Sequence, residues 1–394
     1  MSAEEDRLAR ITWSLVAEPS DAVALLARTA LGAGAALELA REASAAEALQ
    51  LLGGSIPGDP ATDGGASDPR RRLEQALARW RSRLRHVDVP AQLARAERDG
   101  IRVLVPGDPQ WPTALDDLEV AAPHCLWVLG DEDPCLPGTQ GSVAVVGSRA
   151  SSPYGEDVAG GMSAALASRG IAVISGGAYG IDAAAHRGAL AAGAAPTLAV
   201  LAGGLDALYP RGNARLLETI RDRHALLSEA PPGTAPTRWR FLARNRLIAA
   251  LAQVTVVVEA SWRSGALSTA RRADDLSRTV AAVPGPVTSA ASAGCHRLIR
   301  ERGAVLVTGG DDVLELLPGA DPVAEAAGPQ DELDLFSPAD RRVLDAVPPR
   351  SATTCDRLAV IVDRTPEEIR AALGRLELFG AVRIAGEQVR RARG

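Results

Sequence analysis

Between Val143 and Gly309 the chain repeats one pattern: a short, unbroken apolar run, a glycine or small polar residue, then a helical stretch. The runs are VAVVG (Val143–Gly147), IAVIS (Ile171–Ser175), TLAVLAGG (Thr197–Gly204), ALLSE, VTVVVEA, TVAAVPG and AVLVTGG. A strand with one wet face alternates apolar and polar residues. These runs do not alternate, so they predict strands covered on both faces. Helices are expected from Tyr154, near Ile181 and from Asn213. Strand–helix repetition of this kind predicts an α/β fold with a Rossmann-like, doubly wound, mostly parallel sheet. Upstream, IRVLV and CLWVLG are shorter strand candidates.

The flanks read differently. Residues 1–97 are rich in Ala, Leu and Arg, with helical apolar spacing in ITWSLVAEPSDAVALLARTAL, and predict a helical domain. Its glycine turn, LGAGAALELA, fits a helix-hairpin-helix that meets DNA phosphates; it fits a plain helical bundle as well. GGSIPGDPATDGGASDP (Gly53–Pro69) reads as a loop. The sheet domain is expected over 98–318, an acidic Pro/Gly-bearing linker over 319–336, and a last domain over 337–394. That domain shows three helices and a hairpin, the pattern of a winged helix. In TPEEIRAALGRLELFG, Thr365 is the expected N-cap, Pro366 the first helical residue and Gly380 the C-cap. This helix mixes Glu367, Glu368 and Glu377 with Arg370 and Arg375, so a protein-binding or structural role competes with DNA binding.

The 43 basic residues are all arginine, which excludes a P-loop, whose lysine sits on the phosphates. The formal net charge of −6 argues against a protein coated in positive charge but allows a local basic patch. Cys125, Cys135, Cys295 and Cys355 form no CxxC pair, against a disulfide framework or zinc site. The polar start SAEEDRLAR and the lack of a membrane-length apolar run point to a cytoplasmic protein with no membrane partner.

Ligands of parallel sheets bind at the carboxyl ends of the strands. The first such end carries GSRASSPYG (Gly147–Gly155). Gly147 allows a sharp turn, and Ser148 with nearby N–H groups faces the next helix N-terminus, a place for an anion. Arg149 adds a charge with bidentate reach; a tight structural turn is the competing reading for Ser148 and the glycines, and it explains Arg149 less readily. The pattern is not GxGxxG, and no acid closes the second strand, so NAD is discounted and no cofactor is expected. Asp182, Asp206, Glu259 and His186 are the acids and the imidazole near the strand ends. They show no triad or paired-carboxylate spacing, and His186 reads as a helix residue packed on the sheet. His124 and His296 each adjoin a cysteine, which does not make a metal site. TRWRFLARNRLIAAL (Thr237–Leu251) concentrates Arg238, Arg240, Arg244 and Arg246 around Trp239 and Phe241. On a helix starting near Phe241, Leu247, Ile248 and Leu251 face the sheet, while Arg244 and Arg246 can diverge, one towards a ligand and one towards Glu229 or Glu259. Aromatic and arginine side chains together suit single-stranded nucleic acid. A solvated arginine cluster with Trp239 and Phe241 in the core is the competing reading.

Taken in order, VAVVGSRASSPYG, ISGGAYGIDAAAHRGAL, AVLAGGLDALYPRGN, LLSEAPPGTAP, FLARNRLIAAL, VVVEASWRSGALSTARRA, VAAVPG and LIRERGA, with DPQWPTALDDL before them, resemble the DNA-processing protein A family (DprA, also called Smf). The resemblance runs from about Pro106 to Leu316. It implies a non-enzymatic protein that binds single-stranded DNA, protects incoming strands in natural transformation (competence), and loads RecA past single-strand-binding protein. It further implies a homodimer through the core, a SAM-like or helix-hairpin-helix N-terminal domain and a winged-helix C-terminal domain. The family's DNA pocket maps onto Gly147, Ser148, Arg149, Arg238, Phe241, Arg244, Asn245 and Arg246. Three places depart from its pattern: Tyr179 where a basic side chain is common, Leu242 where Pro is frequent, and Cys295–His296 before LI.

Two other readings remain. A nucleotide hydrolase of the LOG type has a related sheet and a PGGxGTxxE motif; ASWRSGALSTARRA here lacks both its GGxGT core and its trailing Glu. A partner-recruiting scaffold would depend on the C-terminal domain rather than on the pocket.

Overall fold

The computed structural model describes residues 2–54, 56, 68–130, 141–318, 338–348, 351–378 and 381–392. The expected linker (319–336), most of the Gly-rich stretch, Cys135 and the Gly380 cap lie outside the described residues. The chain divides into two compact units, Met1–Pro322 and Val323–Gly394.

The first unit opens with six helices: α1 (Ala3–Val16), α2 (Ala22–Leu31), α3 (Ala33–Glu42), α4 (Ala45–Leu51), α5 (Pro69–Leu84) and α6 (Val89–Arg98). Local chemistry sets their starts. Ser2 with Glu5 and Ser44 with Glu47 form capping boxes, and Asp21, Asp68 and Asp88 cap α2, α5 and α6. Gly32, at φ +83°, makes the corner between α2 and α3, a backbone conformation that glycine adopts without strain. Trp13 and Trp80 meet edge to face at 5.0 Å in a core otherwise built mostly of leucine and alanine, with Val16, Val23 and Ile56. Among the described residues no single helix is long and apolar enough to cross a membrane.

The sheet follows as β1 (Ile101–Leu104), β2 (Leu126–Gly130), β3 (Ser142–Val146), β4 (Ala172–Ser175), β5 (Thr197–Leu201), β6 (Ala225–Ser228), β7 (Val254–Val257), β8 (Thr279–Ala282) and β9 (Val305–Leu306). Its order is β1-β2-β6-β5-β4-β3-β7-β8-β9. The β1–β2 and β2–β6 pairs are antiparallel and the others parallel. Helices α7 (Pro153–Ser168), α8 (Ile181–Ala192), α9 (Ala214–Arg223), α10 (Arg238–Leu251), α11 (Ala266–Asp275), α12 (Ala293–Arg302) and α13 (Gly310–Leu314) connect the strands or follow them. Every residue of β3 to β7 is buried, as their unbroken apolar runs require. The run AVLVTGG behaves otherwise: Val305 and Leu306 are exposed because β9 is a two-residue strand at the sheet edge. From β3 the sheet grows through β4 to β6 on one side and through β7 to β9 on the other. The crevice at this reversal, outside the strand ends, is where such sheets take ligands.

The second unit contains α14 (Pro338–Ala346), β10 (Thr353–Thr354), α15 (Cys355–Val362), α16 (Pro366–Leu378), β11 (Val382–Ala385) and β12 (Gln388–Arg391), with strand order β10-β12-β11. Thr365 and Glu368 cap α16 reciprocally. Val343, Leu358, Ile369, Leu373, Val382 and Val389 fill its core.

Candidate functional site

At the reversal, a cleft of about 650 Å³ opens over the ends of β3 and β7 and against the first half of α10. It brings together seven of the residues singled out from the sequence: Gly147, Ser148, Arg149, Arg238, Phe241, Arg244 and Asn245. Gly147 is there because α8 comes close. A Cβ at this position would stand 2.5 Å from Ile181 Cγ1.

The expected anion site at the α7 N-terminus is already filled. Ser148 N–H donates to Glu259 O at 2.7 Å, so it is not free for a ligand. The Glu259 carboxylate, 2 % exposed, accepts from Ser152 N–H at 2.9 Å and from Ser152 Oγ at 2.5 Å. An internal carboxylate thus stands where nucleotide-binding sheets hold a phosphate.

Helix α10 starts at Arg238, three residues before the expected Phe241, because Thr237 caps it through Arg240 N–H at 3.3 Å. Leu247, Ile248 and Leu251 pack on the sheet as expected. The arginines diverge more than the sequence suggested. Arg240 donates to both carboxylate oxygens of Glu18 at 3.0 Å. Arg246, alone among the eight expected binding residues, does not line the cleft. It is 6 % exposed, pairs with Glu229 at 2.8 Å and donates to Ala121 O and Pro19 O. Both arginines therefore fasten α10 to the segment between α1 and α2.

Arg244 reaches the cleft from below rather than projecting into solvent. It is buried and donates to Gly176 O at 3.0 Å and to Val200 O. Asp182 holds the other side of the same loop, accepting from the N–H groups of Gly176 and Ala178. Burial lowers Arg244 to about 10, against the pull of Asp182, and leaves it cationic at neutral pH. Burial pushes the Asp182 carboxyl up, against the pull of Arg244 and the loop N–H donors. Asn245 donates to Gly265 O at 3.3 Å and so ties α10 to the loop before α11.

Above this floor sits an aromatic and cationic rim. The exposed Arg149 lies over the Phe241 ring at 4.3 Å from its centroid. Arg238 is exposed and has no ion-pair partner among the described residues. Tyr209, 46 % exposed, stands 6.0 Å from Phe241, tilted by 53°. The sequence reading missed Tyr209, although ALYPRGN follows a strand end; its meeting with Phe241 depends on tertiary structure. Tyr179, the departure from a basic residue, is exposed, and its hydroxyl accepts from Gly212 N–H at 3.2 Å. Trp239 is exposed, and Phe241 half-buried at the cleft wall, so neither belongs to the core.

The other titratable candidates are structural. His186 is fully buried, with Nδ1 at 2.8 Å from Thr197 Oγ1, and burial brings it down to about 3. His124 stacks on Trp13, and burial holds it well below the usual imidazole range. His296 Nε2 lies 2.9 Å from Gly285 O. Asp206 pairs with Arg95 at 2.9 Å.

Comparison with known proteins agrees with this architecture. The family described as DNA recombination-mediator protein A matches residues 102–318. A DNA processing protein DprA of Mycobacterium tuberculosis is 45 % identical over 328 residues, 79 % of this chain and 82 % of the relative. Protein Smf of Escherichia coli is 44 % identical over 176 residues, 44 % of this chain and 46 % of the relative. The X-ray structure of DNA processing protein A from Streptococcus pneumoniae superposes with a TM-score of 0.60 at 31 % identity, covering 80 % of this chain and 99 % of that one.

Proposed function

Because the chain belongs to the DNA recombination-mediator protein A family, we propose that its cleft holds single-stranded DNA. The observation that carries this reading is the rim: Arg149 stacked on Phe241, Tyr209 beside it and Arg238 lining the same cleft. Bases are apolar plates and phosphates are anions. A groove that binds a single strand without regard to sequence therefore needs π-faces and cations interleaved. This rim supplies both on a chain whose formal net charge is −6. The Glu259 carboxylate at the α7 N-terminus counts against a mononucleotide hydrolase, because a terminal phosphate finds its usual cradle occupied.

The reading extends to a cytoplasmic, non-catalytic mediator that protects incoming strands and loads RecA in natural transformation and homologous recombination, displacing single-strand-binding protein. A homodimer through the sheet domain (98–318) accompanies it. The helical domain (1–97) takes a SAM-like or helix-hairpin-helix role, and residues 337–394 that of a winged helix joined by the linker 319–336. Three helices with a three-stranded antiparallel sheet support the last assignment.

The test is fluorescence anisotropy with a labelled single-stranded oligonucleotide, a duplex competitor and Arg149→Ala alongside the unaltered protein. Selective, salt-sensitive binding that weakens about tenfold in the variant is expected, from a lost phosphate contact and a lost support for Phe241. Equal affinity in protein and variant would move the site elsewhere.

A further inference from the structure

A second cleft, of about 580 Å³, adjoins the first and shares Arg263 and Ser264 with it. It lies between α11 and α12, and Val280 of β8 contributes to its floor. Five arginines line it (Arg263, Arg271, Arg272, Arg297 and Arg302) against two acids, Asp274 and Asp275. Arg272 is engaged by Asp275 at 3.5 Å and Arg297 by Glu301 at 2.9 Å. Arg263, Arg271 and Arg302 are exposed and make no ion pair among the described residues. Trp262 stands at its mouth, 55 % exposed, with the Arg297 guanidinium 5.0 Å from its ring centroid.

Arginines gathered in one cleft without carboxylate partners repel one another, and Trp262 sets a flat π-face among them. One kind of ligand meets both features, a flexible polyanion that carries stacking faces. A duplex does not offer free faces to Trp262, and an acidic peptide offers charge without plates. We propose that this second cleft is an extension site for single-stranded nucleic acid. The strand leaves the first cleft across Arg263, stacks a base on Trp262, and lays its phosphates against Arg271 and Arg302. This inference rests on the reading of the first cleft as a single-strand site and adds a direction of travel and a longer footprint to it.

The experiment compares two oligothymidylates on the full chain: one of about six nucleotides, enough for the first cleft, and one of about fifteen, enough for both. Trp262→Ala and the double variant Arg271→Ala/Arg302→Ala are tested; none of these three residues lines the first cleft. Trp262→Ala is expected to weaken the long strand about tenfold, the scale of one lost base stack, and to leave the short strand unchanged. The double arginine variant should reduce the salt slope for the long strand by about 1.4, two single-strand phosphates' worth. In a Trp239→Phe background, intrinsic fluorescence should be quenched by the long strand and not by the short one.

Unchanged long-strand affinity and slope in these variants, with the short strand still bound, would overturn the extension site and leave the cleft to an acidic protein surface. Failure of the unaltered protein to bind even the short strand would overturn the first-cleft reading and the extension with it.

Discussion

Arg244 gives the sharpest test of how this site is built, because its position separates a supporting role from a contacting one. Replacing it with Ala removes two donors from buried carbonyls, Gly176 O and Val200 O, and leaves Asp182 without its cationic neighbour. Each orphaned buried acceptor costs about 1–3 kcal/mol. The two acceptors together cost about 2–6 kcal/mol, and the buried Asp182 also loses the pull of a nearby cation. For a unit of this size that is a fall in midpoint temperature on the order of 10 °C. Arg149→Ala exposes no buried partner, so its thermal midpoint should stay within about 2 °C of the unaltered protein, as surface substitutions do. The two variants should diverge in the opposite sense in DNA titrations at a temperature where both are folded. Arg149→Ala lowers the single-strand salt slope by about 0.7, one phosphate's worth, whereas Arg244→Ala weakens binding with the slope retained. Differential scanning fluorimetry and salt-series anisotropy read the two effects. Asp182→Asn in the Arg244→Ala background should recover part of the lost stability, since it removes the stranded charge. A shift of less than about 2 °C in Arg244→Ala, or no recovery with Asp182→Asn, would refute the account of a buried charged support.

Two further outcomes are expected. Phe241→Ala should weaken binding by about 1–3 kcal/mol with nearly the full salt slope, because a stacking face is lost and no charge is; salt-series anisotropy that gave it the same slope change as Arg149→Ala would undo that division of labour. Stability should also fall as pH drops from about 7.5 to about 5.5. His124 and His186 are held neutral by burial in the folded chain, with His186 at about 3, while in the unfolded chain both take up protons below 6.5. A group whose folded value is depressed in this way stabilises the fold above its unfolded value and loses that contribution below it. The two together should remove roughly 2–3 kcal/mol over that range, read as a lower thermal midpoint at the acid end. A flat profile, or one unchanged by His186→Gln, would contradict it.

The sheet was legible in the sequence because full burial leaves no choice of residue: β3 to β7 can be neither polar nor alternating, and their ends announce themselves by glycine. The strand-end motifs around Gly147–Arg149 and Phe241–Asn245 were legible for the same reason, since ligand sites on such sheets have a fixed address. What could not be read was pairing at a distance. Arg240 and Glu18 lie 222 residues apart, and Arg246 reaches Ala121 across 125. Nothing local marks those two arginines as anchors and Arg238 as the one without an ion pair among the described residues. Glu259 was visible as an acid near a strand end, but its place on the α7 N-terminus depends on the register of β3 with β7. Tyr209 and Trp262 sit in loops whose composition says little about which surface they join.

The arginine cluster on α10 answers a question of charge as well as of contact. An acidic chain that exposed all four side chains would keep a mobile basic patch whose long side chains lose much of their entropy on meeting a ligand. Here Arg240 and Arg246 are spent on Glu18, Pro19 O and Glu229, and Arg244 on the loop that β4 feeds, so three arginines fix the helix to its neighbours. The edge that remains, Arg238 with Phe241 under Arg149, is presented on a helix and, on the proposed reading, would need little ordering to meet a strand. Arginine also suits this geometry. A planar, weakly hydrated guanidinium can hold two carbonyls, clamp a carboxylate or lie on a phenyl ring, and an ammonium does none of these as well. The cluster is therefore a bracket and a platform in one helix, and a substitution in it should be classed by which part it removes.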